Sequence, residues 1–384
     1  MKRQLLGVAA ILLSISTYAQ DNPLWMRYCA ISPDGTTIAF TYKGDIYTVP
    51  STGGRASQIT TNPAHDTKPI WSPDGKKIAF ASDRMGSMDI FEVNKEGGIP
   101  KRLTTHSGNE TPVAYKDAGH ILFLANIMPT AEDAQFPSGQ FQQVYEVNTE
   151  GGRPILFSSM PMEDISINHT GNTLLYHDKK GYEDPWRKHH TSSITRDIWL
   201  CSLNGNRTFR KQTAFNGEDR TPVWASDDKS FYYLSEEKGS FNIFKRDIDG
   251  NTSKQITNHT KHPVRFLSAA SNGTLCYGYD GEIYTVKEGA IPQKVQISIV
   301  TDKNDKDLIR QIKRSGATEI SLSPDAKEIA FVLRGDVYVT STEYSTTKQI
   351  TNTPQQERDI HFSPDGRSIV YAAERRSEER RVGK

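Results

Sequence analysis

The chain has 384 residues, enough for more than one hydrophobic core, and its 47 basic and 46 acidic residues give a net charge of +1. This balance gives no electrostatic case for binding nucleic acid or an anionic membrane surface. Only 35% of the residues are hydrophobic, as expected for many short strands joined by solvated loops. The composition therefore favours a polar, strand-rich protein.

The first 19 residues form a predicted signal peptide. Lys2 and Arg3 precede an apolar run over residues 5–15, and the small residues Thr17 and Ala19 suit cleavage after Ala19. The run is too short to span a bilayer as a mature helix, and an uncleaved anchor is the alternative. We expect a periplasmic or secreted chain with no stable membrane span.

A short string recurs along the chain. WSPDGKKIAF at residues 71–80 returns with small changes at 31–40, 322–331 and 362–371. Pro73 presets φ for the second position of a type I turn, and the Asp-Gly after it completes the turn. Apolar residues flank each turn, so each string predicts a β-hairpin with a buried second strand. A recurring hairpin indicates a repeat architecture.

The repeat extends beyond the hairpin. A strand of Asp-Ile-Phe type follows each opening, centred on Ile46, Ile90, Tyr145, Ile198, Ile243, Ile283 and Val337. A closing strand of Gln-Ile-Thr type appears at Ile59, Leu103, Ile256 and Ile350, and weaker openings lie at 112–125, 165–177 and 222–235. Each unit thus offers four short strands over roughly 40–54 residues, the signature of a β-propeller blade. A β-sandwich with accidental similarity is the alternative.

Six units precede residue 300, at approximately 24–62, 65–106, 110–158, 160–215, 218–260 and 262–299. The charged segment 300–316 breaks the pattern and is predicted to be a linker with a short helical turn. New repeats begin at Ala317 and Glu357, and the second stops after its first hairpin. We therefore predict an all-β chain, with a six-bladed β-propeller over 24–299 followed by the start of a second β-propeller over 317–375.

The last nine residues, 376–384, follow the final predicted strand and show neither turn-forming residues nor a strand-type pattern. Their charge run can be read as a solvated tail, but one choice of codons for them spells a widely used short-read sequencing adapter. We interpret them as an assembly artefact, with the natural sequence continuing beyond Arg375. The basic tail is therefore not read as a nucleic-acid or membrane patch.

These hairpins, Asp-Ile-Phe strands and Gln-Ile-Thr strands resemble TolB-like, or PD40, propeller repeats. The order of an export signal, six blades and a new start near 317 resembles the N-terminal part of a tricorn-type protease of the S41 serine peptidase group. Residues 176–199 also resemble the fourth blade of exported bacterial members, whereas the archaeal members are intracellular. The resemblance covers nearly all of residues 24–373.

The resemblance implies a parent enzyme with a seven-bladed propeller, a helical region, a PDZ domain and a serine hydrolase core that degrades peptides. It implies that the propellers gate access of peptides or unfolded polypeptide to that core, and it allows a homo-oligomer. No catalytic segment matches this chain, so no catalytic residue is assigned and the fragment itself is expected to be inactive. The alternatives are a stand-alone TolB-like interaction module of the cell envelope and, disfavoured by the charged break, a prolyl-oligopeptidase-type propeller.

Local motifs assign no catalytic, cofactor-binding or metal-binding residue, since neither G-x-S-x-G nor H-E-x-x-H occurs. A Ser-His-Asp triad assembled only in space stays open. The loop 178–196 is the longest insertion within a blade and contains Trp186, Arg187, Lys188 and the pair His189-His190. We interpret it as a structural or interdomain loop, with peptide contact and metal binding as alternatives.

Other conspicuous residues receive structural interpretations. The turn aspartates are expected to cap their own hairpins rather than to bind Ca²⁺; they are Asp34, Asp74, Asp325 and Asp365. Trp71, Phe80 and Trp224 are expected in the core between blades. The glycine pairs at 53–54, 97–98 and 151–152 precede strands, so they predict turns and not phosphate loops. Cys29, Cys201 and Cys276 are predicted to be buried free thiols, with no disulfide framework.

Overall fold

The computed structural model describes residues 23–127, 141–182, 184, 186, 191–300, 313–344, 346–373 and 381–383. Strands are the only regular elements within these ranges, so the predicted all-β class is confirmed. The predicted signal peptide lies outside the described residues. Within them, no helix long and apolar enough to cross a membrane is found.

Six four-stranded sheets, blades 1 to 6, follow one another, each with its strands in sequence order. Blades 1 to 3 contain β1 (Arg27–Ile31), β2 (Thr37–Tyr42), β3 (Asp45–Pro50) and β5 (Ser57–Gln58), with the separate strand β4 (Gly54–Arg55) between the last two; β6 (Asp66–Trp71), β7 (Lys77–Ser82), β8 (Asp89–Asn94) and β9 (Lys101–Arg102); and β10 (Thr111–Asp117), β11 (His120–Ala125), β12 (Gln143–Asn148) and β13 (Ile155–Ser158). Blades 4 to 6 contain β14 (Met162–Ile167), β15 (Thr173–Asp178), β16 (Ile198–Ser202) and β17 (Thr208–Lys211); β18 (Asp219–Trp224), β19 (Ser230–Ser235), β20 (Asn242–Asp247) and β21 (Ser253–Gln255); and β22 (Arg265–Ala269), β23 (Leu275–Tyr279), β24 (Glu282–Val286) and β25 (Gln293–Lys294).

The six blades form a closed ring. The first strand of each blade lies beside the first strand of the next, and β1 of blade 1 lies beside β22 of blade 6. Neighbouring blades cover both faces of the second strands, so that Ile38, Ala39 and Phe40 in β2 are completely buried. This two-sided burial explains why these strands read as continuous apolar runs rather than as alternating ones. The predicted six-bladed propeller is confirmed.

The Ser-Pro-Asp-Gly turns are held by side-chain caps. In blade 2, Ser72 Oγ donates to Asp74 Oδ1 at 2.7 Å and accepts the Lys77 N–H at 2.9 Å. Asp74 Oδ1 also accepts the Lys76 N–H at 3.1 Å, and the serine hydrogen bond lowers the pKa of Asp74. The same caps occur at Asp34, Asp325 and Asp365. The interpretation of these aspartates as turn caps is confirmed.

Removing one cap should measurably weaken blade 2. We expect Ser72→Ala to lower the free energy of unfolding by about 1–2 kcal/mol, because a donor to Asp74 and an acceptor for the Lys77 N–H are lost together. Urea denaturation followed by tryptophan fluorescence measures the effect. Ser107→Ala is the matched control, since Ser107 is exposed. Equal denaturation midpoints for the two variants would contradict the capping role.

The threonines of the closing strands cap the strand before them. Thr104 Oγ1 accepts the Ile90 N–H at 2.9 Å and donates to Glu110 at the start of blade 3. Burial raises the pKa of Glu110 to about 7, against the hydrogen bond from Thr104. Equivalent bonds join Thr60 to Ile46, Thr257 to Ile243 and Thr351 to Val337. The recurrent Gln-Ile-Thr motif therefore fixes the junction from one blade to the next.

Large aromatic side chains fill the space between blades, as predicted. Trp71 Nε1 donates to the Ala30 carbonyl of blade 1 at 2.8 Å, and Trp224 Nε1 donates to the Ser166 carbonyl of blade 4 at 3.0 Å. Phe80 is completely buried. Each indole thus both packs against a neighbouring blade and satisfies its own N–H.

Among the described residues, the ring closes without exchanging a strand between its first and last blades. Instead β26 (Ile297–Ser298), which follows blade 6, pairs in parallel with β4. At Gly53, φ is +93°, and an added Cβ would lie 2.6 Å from the Gln296 carbonyl oxygen. Only glycine combines this backbone conformation with so close an approach. The glycine pairs at 97–98 and 151–152 lie in turns between strands, as predicted, whereas in the pair 53–54 only Gly53 lies in the turn and Gly54 begins β4.

Described residues from 313 onward belong to a second compact unit. One sheet contains β27 (Ala317–Leu322), β28 (Glu328–Leu333), β29 (Asp336–Ser341) and β30 (Thr347–Gln349), and the other contains β31 (Glu357–Phe362), β32 (Ile369–Ala373) and β33 (Arg381–Gly383). The expectation of no strand in 376–384 is wrong, because β33 pairs with the edge of β32. Edge pairing uses backbone groups, so it needs no apolar side-chain pattern. Residues 301–312 of the predicted linker lie outside the described residues.

Candidate functional site

A central channel runs along the inner strands of the ring. Its cavity has a volume of about 650 Å³ and is lined by residues of all six blades. The lining positions lie mainly on β1, β6, β10, β14, β18 and β22. Five lining side chains are basic and two are acidic: Lys68, Lys179, Arg196, Arg220 and Arg265 against Glu163 and Asp164. The channel wall is therefore net basic, although the whole chain is nearly neutral.

Each inner strand carries a β-bulge, where its register with the second strand shifts. Five bulges hold a residue other than glycine at a φ between 49° and 58°, and all five residues line the channel: Tyr28, Lys68, Asp164, Thr221 and Phe266. Such a backbone costs of order 1 kcal/mol or more per residue. The repeated bulge places these side chains on the channel wall. No glycine marks the bulges, so they could not be predicted from residue type.

Blade 4 contributes a partly buried carboxylate to the wall. Glu163 Oε1 accepts from Lys179 Nζ at 2.6 Å, and its Oε2 lies 3.2 Å from His177 Nε2 and 3.6 Å from Arg196 Nε. Burial opposes ionisation of Glu163, but His177 and Lys179 outweigh it and hold the pKa of Glu163 well below its ordinary value. Glu163 is therefore a fixed negative charge that holds Lys179, Arg196 and His177 in place.

A second carboxylate, this one completely buried, joins blades 4 and 5. Glu218, whose side chain is fully buried, accepts from Arg196 Nη1 at 2.9 Å and lies 3.5 Å from Arg220 Nη1. The guanidinium carbon of Arg220 also lies 4.1 Å from the centroid of the Phe241 ring. Burial lowers the pKa of Arg220 to about 10, so it stays cationic at neutral pH. Arg196 thus bridges Glu163 and Glu218 in one continuous charge network.

His177 is held by both of its ring nitrogens. The Thr221 N–H donates to Nδ1 at 3.3 Å, which leaves Nε2 to carry the proton and to face Glu163. Ser166 lines the same cavity. Neither nitrogen is left to accept a proton from a serine, so the geometry around His177 supports a structural charge network rather than a Ser-His-Asp triad.

An aromatic and cationic cluster stands at the channel wall of blades 4, 6 and 1. The Trp186 ring lies between two guanidinium groups, 4.9 Å from Arg27 and 5.0 Å from Arg265. Arg265 Nη2 donates to the Trp186 carbonyl at 2.7 Å, and Phe266 packs edge-on against the indole. Trp186 remains 44% exposed. The described part of the loop 178–196 therefore presents an amphipathic surface to the channel.

The remaining prominent residues of that loop lie outside the described residues: Arg187, Lys188, His189 and His190. The loop's interpretation as structural, peptide-contacting or metal-binding thus stays a prediction. Among the residues that the structure does describe, no group of three or more His, Cys, Asp or Glu side chains suits a metal ion. The three cysteines are buried, as predicted, and in this structure each is in the reduced form.

Comparison with known proteins identifies the ring. The profile of the family described as "Tricorn protease N-terminal beta propeller domain" matches residues 23–290. The chain belongs to this family. Two relatives are the tricorn protease homolog 1 of Streptomyces coelicolor, 24% identical over 86% of this chain, and the tricorn protease homolog of Saccharolobus solfataricus, 27% identical over 73%. The crystal structure of the tricorn protease superposes with a TM-score of 0.61 at 19% identity over 91% of this chain, which shows the fold.

This tricorn-type propeller corresponds to part of its relatives. It spans 30% of the Streptomyces protein, 26% of the Saccharolobus protein and 33% of the chain in the crystal structure. The resemblance read from the repeats is thus confirmed as to family and fold. The channel network was not predicted, since Glu163, Arg196 and Glu218 lie far apart in sequence and no local motif unites them.

Proposed function

We propose that this tricorn-type propeller gates and scaffolds the peptide-degrading core of an exported serine peptidase of the S41 group, a core that lies outside this chain. The observation that carries the proposal is the channel: a family propeller whose central cavity, about 650 Å³, is walled by fixed charges. A cavity of that size takes an extended peptide segment. The buried ion pairs keep the wall's charges in fixed positions, as a selective passage requires.

The channel chemistry supports peptides as the molecules that pass. The net basic wall attracts acidic side chains, while the half-exposed Trp186 between two guanidinium groups offers an apolar surface to side chains of any type. We expect an unstructured, fluorescein-labelled acidic peptide to bind the chain, measured by fluorescence anisotropy. Binding should weaken as salt is raised, because part of the attraction is electrostatic.

A pair of charge reversals locates the binding. Lys68→Glu changes a channel residue, whereas Lys229→Glu makes the same change at an exposed turn that does not line the cavity. We expect Lys68→Glu to weaken peptide binding by roughly threefold to tenfold, the scale of one partly solvated charge interaction. Lys229→Glu should leave it unchanged. Absence of binding, or equal weakening by both variants, would contradict the channel proposal.

Catalysis is proposed to lie outside this chain. The purified chain should therefore show no peptidase activity above a mock purification. Turnover that survives purification to homogeneity would overturn this part of the proposal and would favour a different enzyme class. Peptide binding without turnover is also the outcome expected of a stand-alone interaction module. A longer chain expressed from the same gene distinguishes the peptidase propeller from the stand-alone module. The first should gain peptidase activity when the following region is included, and the second should not.

Export is proposed from the N-terminal sequence, with cleavage after Ala19. The supporting pattern is Lys2 and Arg3 followed by the apolar run and the small residues before the cut. Expression in a two-membrane bacterium should give a periplasmic or secreted product whose first residue is Gln20. A product that keeps Met1 and stays in the cytoplasm would overturn the export proposal while leaving the channel proposal intact.

A further inference from the structure

Two of the three cysteines meet where the ring closes. Cys29 lies on β1 of blade 1 and Cys276 on β23 of blade 6, at opposite ends of the propeller sequence. Both side chains are buried, at 4% and 0% exposure, in one apolar cluster that joins the first and last blades. The third cysteine, Cys201, lies in a different cluster around blade 4. Of the three possible cysteine pairs, the fold therefore brings together only Cys29 and Cys276.

The backbone around the pair is tightly organised. Cys276 pairs with Ser268 in the register between β22 and β23. Ser268 Oγ lies 3.4 Å from the Cys29 carbonyl oxygen and 3.5 Å from the Cys276 carbonyl oxygen. Cys29 Sγ itself donates to the Phe266 carbonyl at 3.4 Å. One hydroxyl therefore contacts the backbone of both cysteines. Burial first, and then the neighbouring Cys29 thiol, raises the pKa of Cys276.

The rest of this junction, which we call the closing seam, is held by non-covalent contacts between blades 1 and 6. The Met26 N–H donates to the Gly281 carbonyl at 3.1 Å, and the Ser271 N–H donates to the Pro33 carbonyl at 2.9 Å. The Ile31 N–H donates to Ser268 Oγ at 3.0 Å. The short parallel pair of β26 with β4 adds backbone hydrogen bonds, and among the described residues no strand of blade 1 joins the four-stranded sheet of blade 6. A covalent bond here would therefore change how the ring opens.

We propose that Cys29 and Cys276 form a disulfide that covalently closes the propeller ring. The step is thiol–disulfide exchange with a small-molecule or protein disulfide as oxidant. The thiolate of one cysteine attacks the oxidant and releases one thiol, and the second thiolate then displaces the other. One S–S bond forms between the cysteines, the oxidant's S–S bond breaks, and the oxidant accepts the two electrons and the two protons.

The disulfide forms while the closing seam is open. In the closed ring both sulfurs are buried and the raised pKa of Cys276 disfavours its thiolate, the reactive form. The same burial protects the finished disulfide from reductants. A bond between the first and last blades also restricts the unfolded chain over almost the whole propeller, where a cross-link has its largest effect.

Trypsin separates the three cysteines onto three peptides, residues 28–43, 197–207 and 266–287. The full chain is unfolded in reductant, then refolded with a mixture of oxidised and reduced glutathione, alkylated and digested without reduction. Mass spectrometry should find 28–43 joined to 266–287 in large excess over any species that contains 197–207. Absence of the 28–43/266–287 species, or equal amounts of all pairings, would overturn the proposal.

Stability provides the second readout. The oxidised chain should unfold at a higher urea concentration than the reduced chain, and Cys276→Ala should abolish that difference. Cys201→Ala is the matched control, since it removes a buried cysteine away from the closing seam and should keep both the linked peptide and the difference. If Cys276→Ala fails to fold, Cys29→Ser provides the same comparison. An oxidised–reduced difference that survives in folded Cys276→Ala would contradict the assignment.

Discussion

Replacing Glu218 with alanine should lower the free energy of unfolding by about 3–5 kcal/mol. Glu218 is completely buried and sits between the Arg196 and Arg220 guanidinium groups. Its removal would leave both cations buried with a weaker set of partners. This lowers the stability of the fold more than replacing a whole ion pair with apolar residues would. Urea denaturation monitored by tryptophan fluorescence measures the loss.

A surface carboxylate gives the matched control. Glu150 pairs with Lys101 at 2.8 Å, but its side chain is 82% exposed. Glu150→Ala should leave the denaturation midpoint essentially unchanged, because water already screens that pair. If Glu218→Ala and Glu150→Ala gave the same small effect, the charge network would be solvated and the assignment of a rigid channel wall would be wrong.

The stability of the ring should fall as the pH rises from about 5 to 8, and Asp219→Asn should remove about 3 kcal/mol of that fall. Asp219 is 1% exposed at the start of β18. Burial raises the pKa of Asp219 to about 7, although the hydroxyls of Ser235 and Thr213 oppose the rise. Asparagine keeps the shape of the protonated acid and cannot ionise.

The sign follows from proton binding. Between the unfolded pKa near 4 and the folded pKa near 7, folded Asp219 keeps a proton that the unfolded chain has lost, so each rise in pH favours unfolding. Glu110, whose pKa burial raises to about 7, acts in the same direction, so part of the slope should remain in Asp219→Asn. Glu163 acts oppositely, since its lowered pKa contributes stability that is lost only as the pH falls below about 4.5.

Denaturation midpoints at pH 5, 6, 7 and 8 test this expectation. Asp249→Asn makes the same chemical change at an aspartate that is 86% exposed and pairs with Arg210 at the surface. Its pH profile should match that of the unmodified chain. Burial lowers the pKa of His259, which acts in the opposite direction over this range, so the comparison between Asp219→Asn and the unmodified chain is decisive. A profile for Asp219→Asn that coincides with that of the unmodified chain would mean that the Asp219 carboxylate is stabilised when ionised, contrary to its burial.

The propeller was readable from sequence because its determinants are local and repeated. The Ser72–Asp74 cap, the Thr104 cap and the apolar second strands are each set by residues close together in the chain. Each recurs from blade to blade, so that a clear copy of the repeat allows the weaker copies to be recognised. The repeats also predicted the number and order of the blades, and the family resemblance followed from that order. The short strand β33 escaped detection because backbone pairing at an edge leaves little trace in side-chain type.

The channel and the closing seam were decided only by the tertiary structure. Glu163, Arg196 and Glu218 become one network because a ring brings the inner strands of blades 4 and 5 together, and their separations in sequence match no motif. Cys29 and Cys276 become neighbours because closure brings the first blade against the last. A repeat pattern determines how each blade folds and which blade follows it. The side chains that face across the ring depend on the closure itself, which no single repeat encodes.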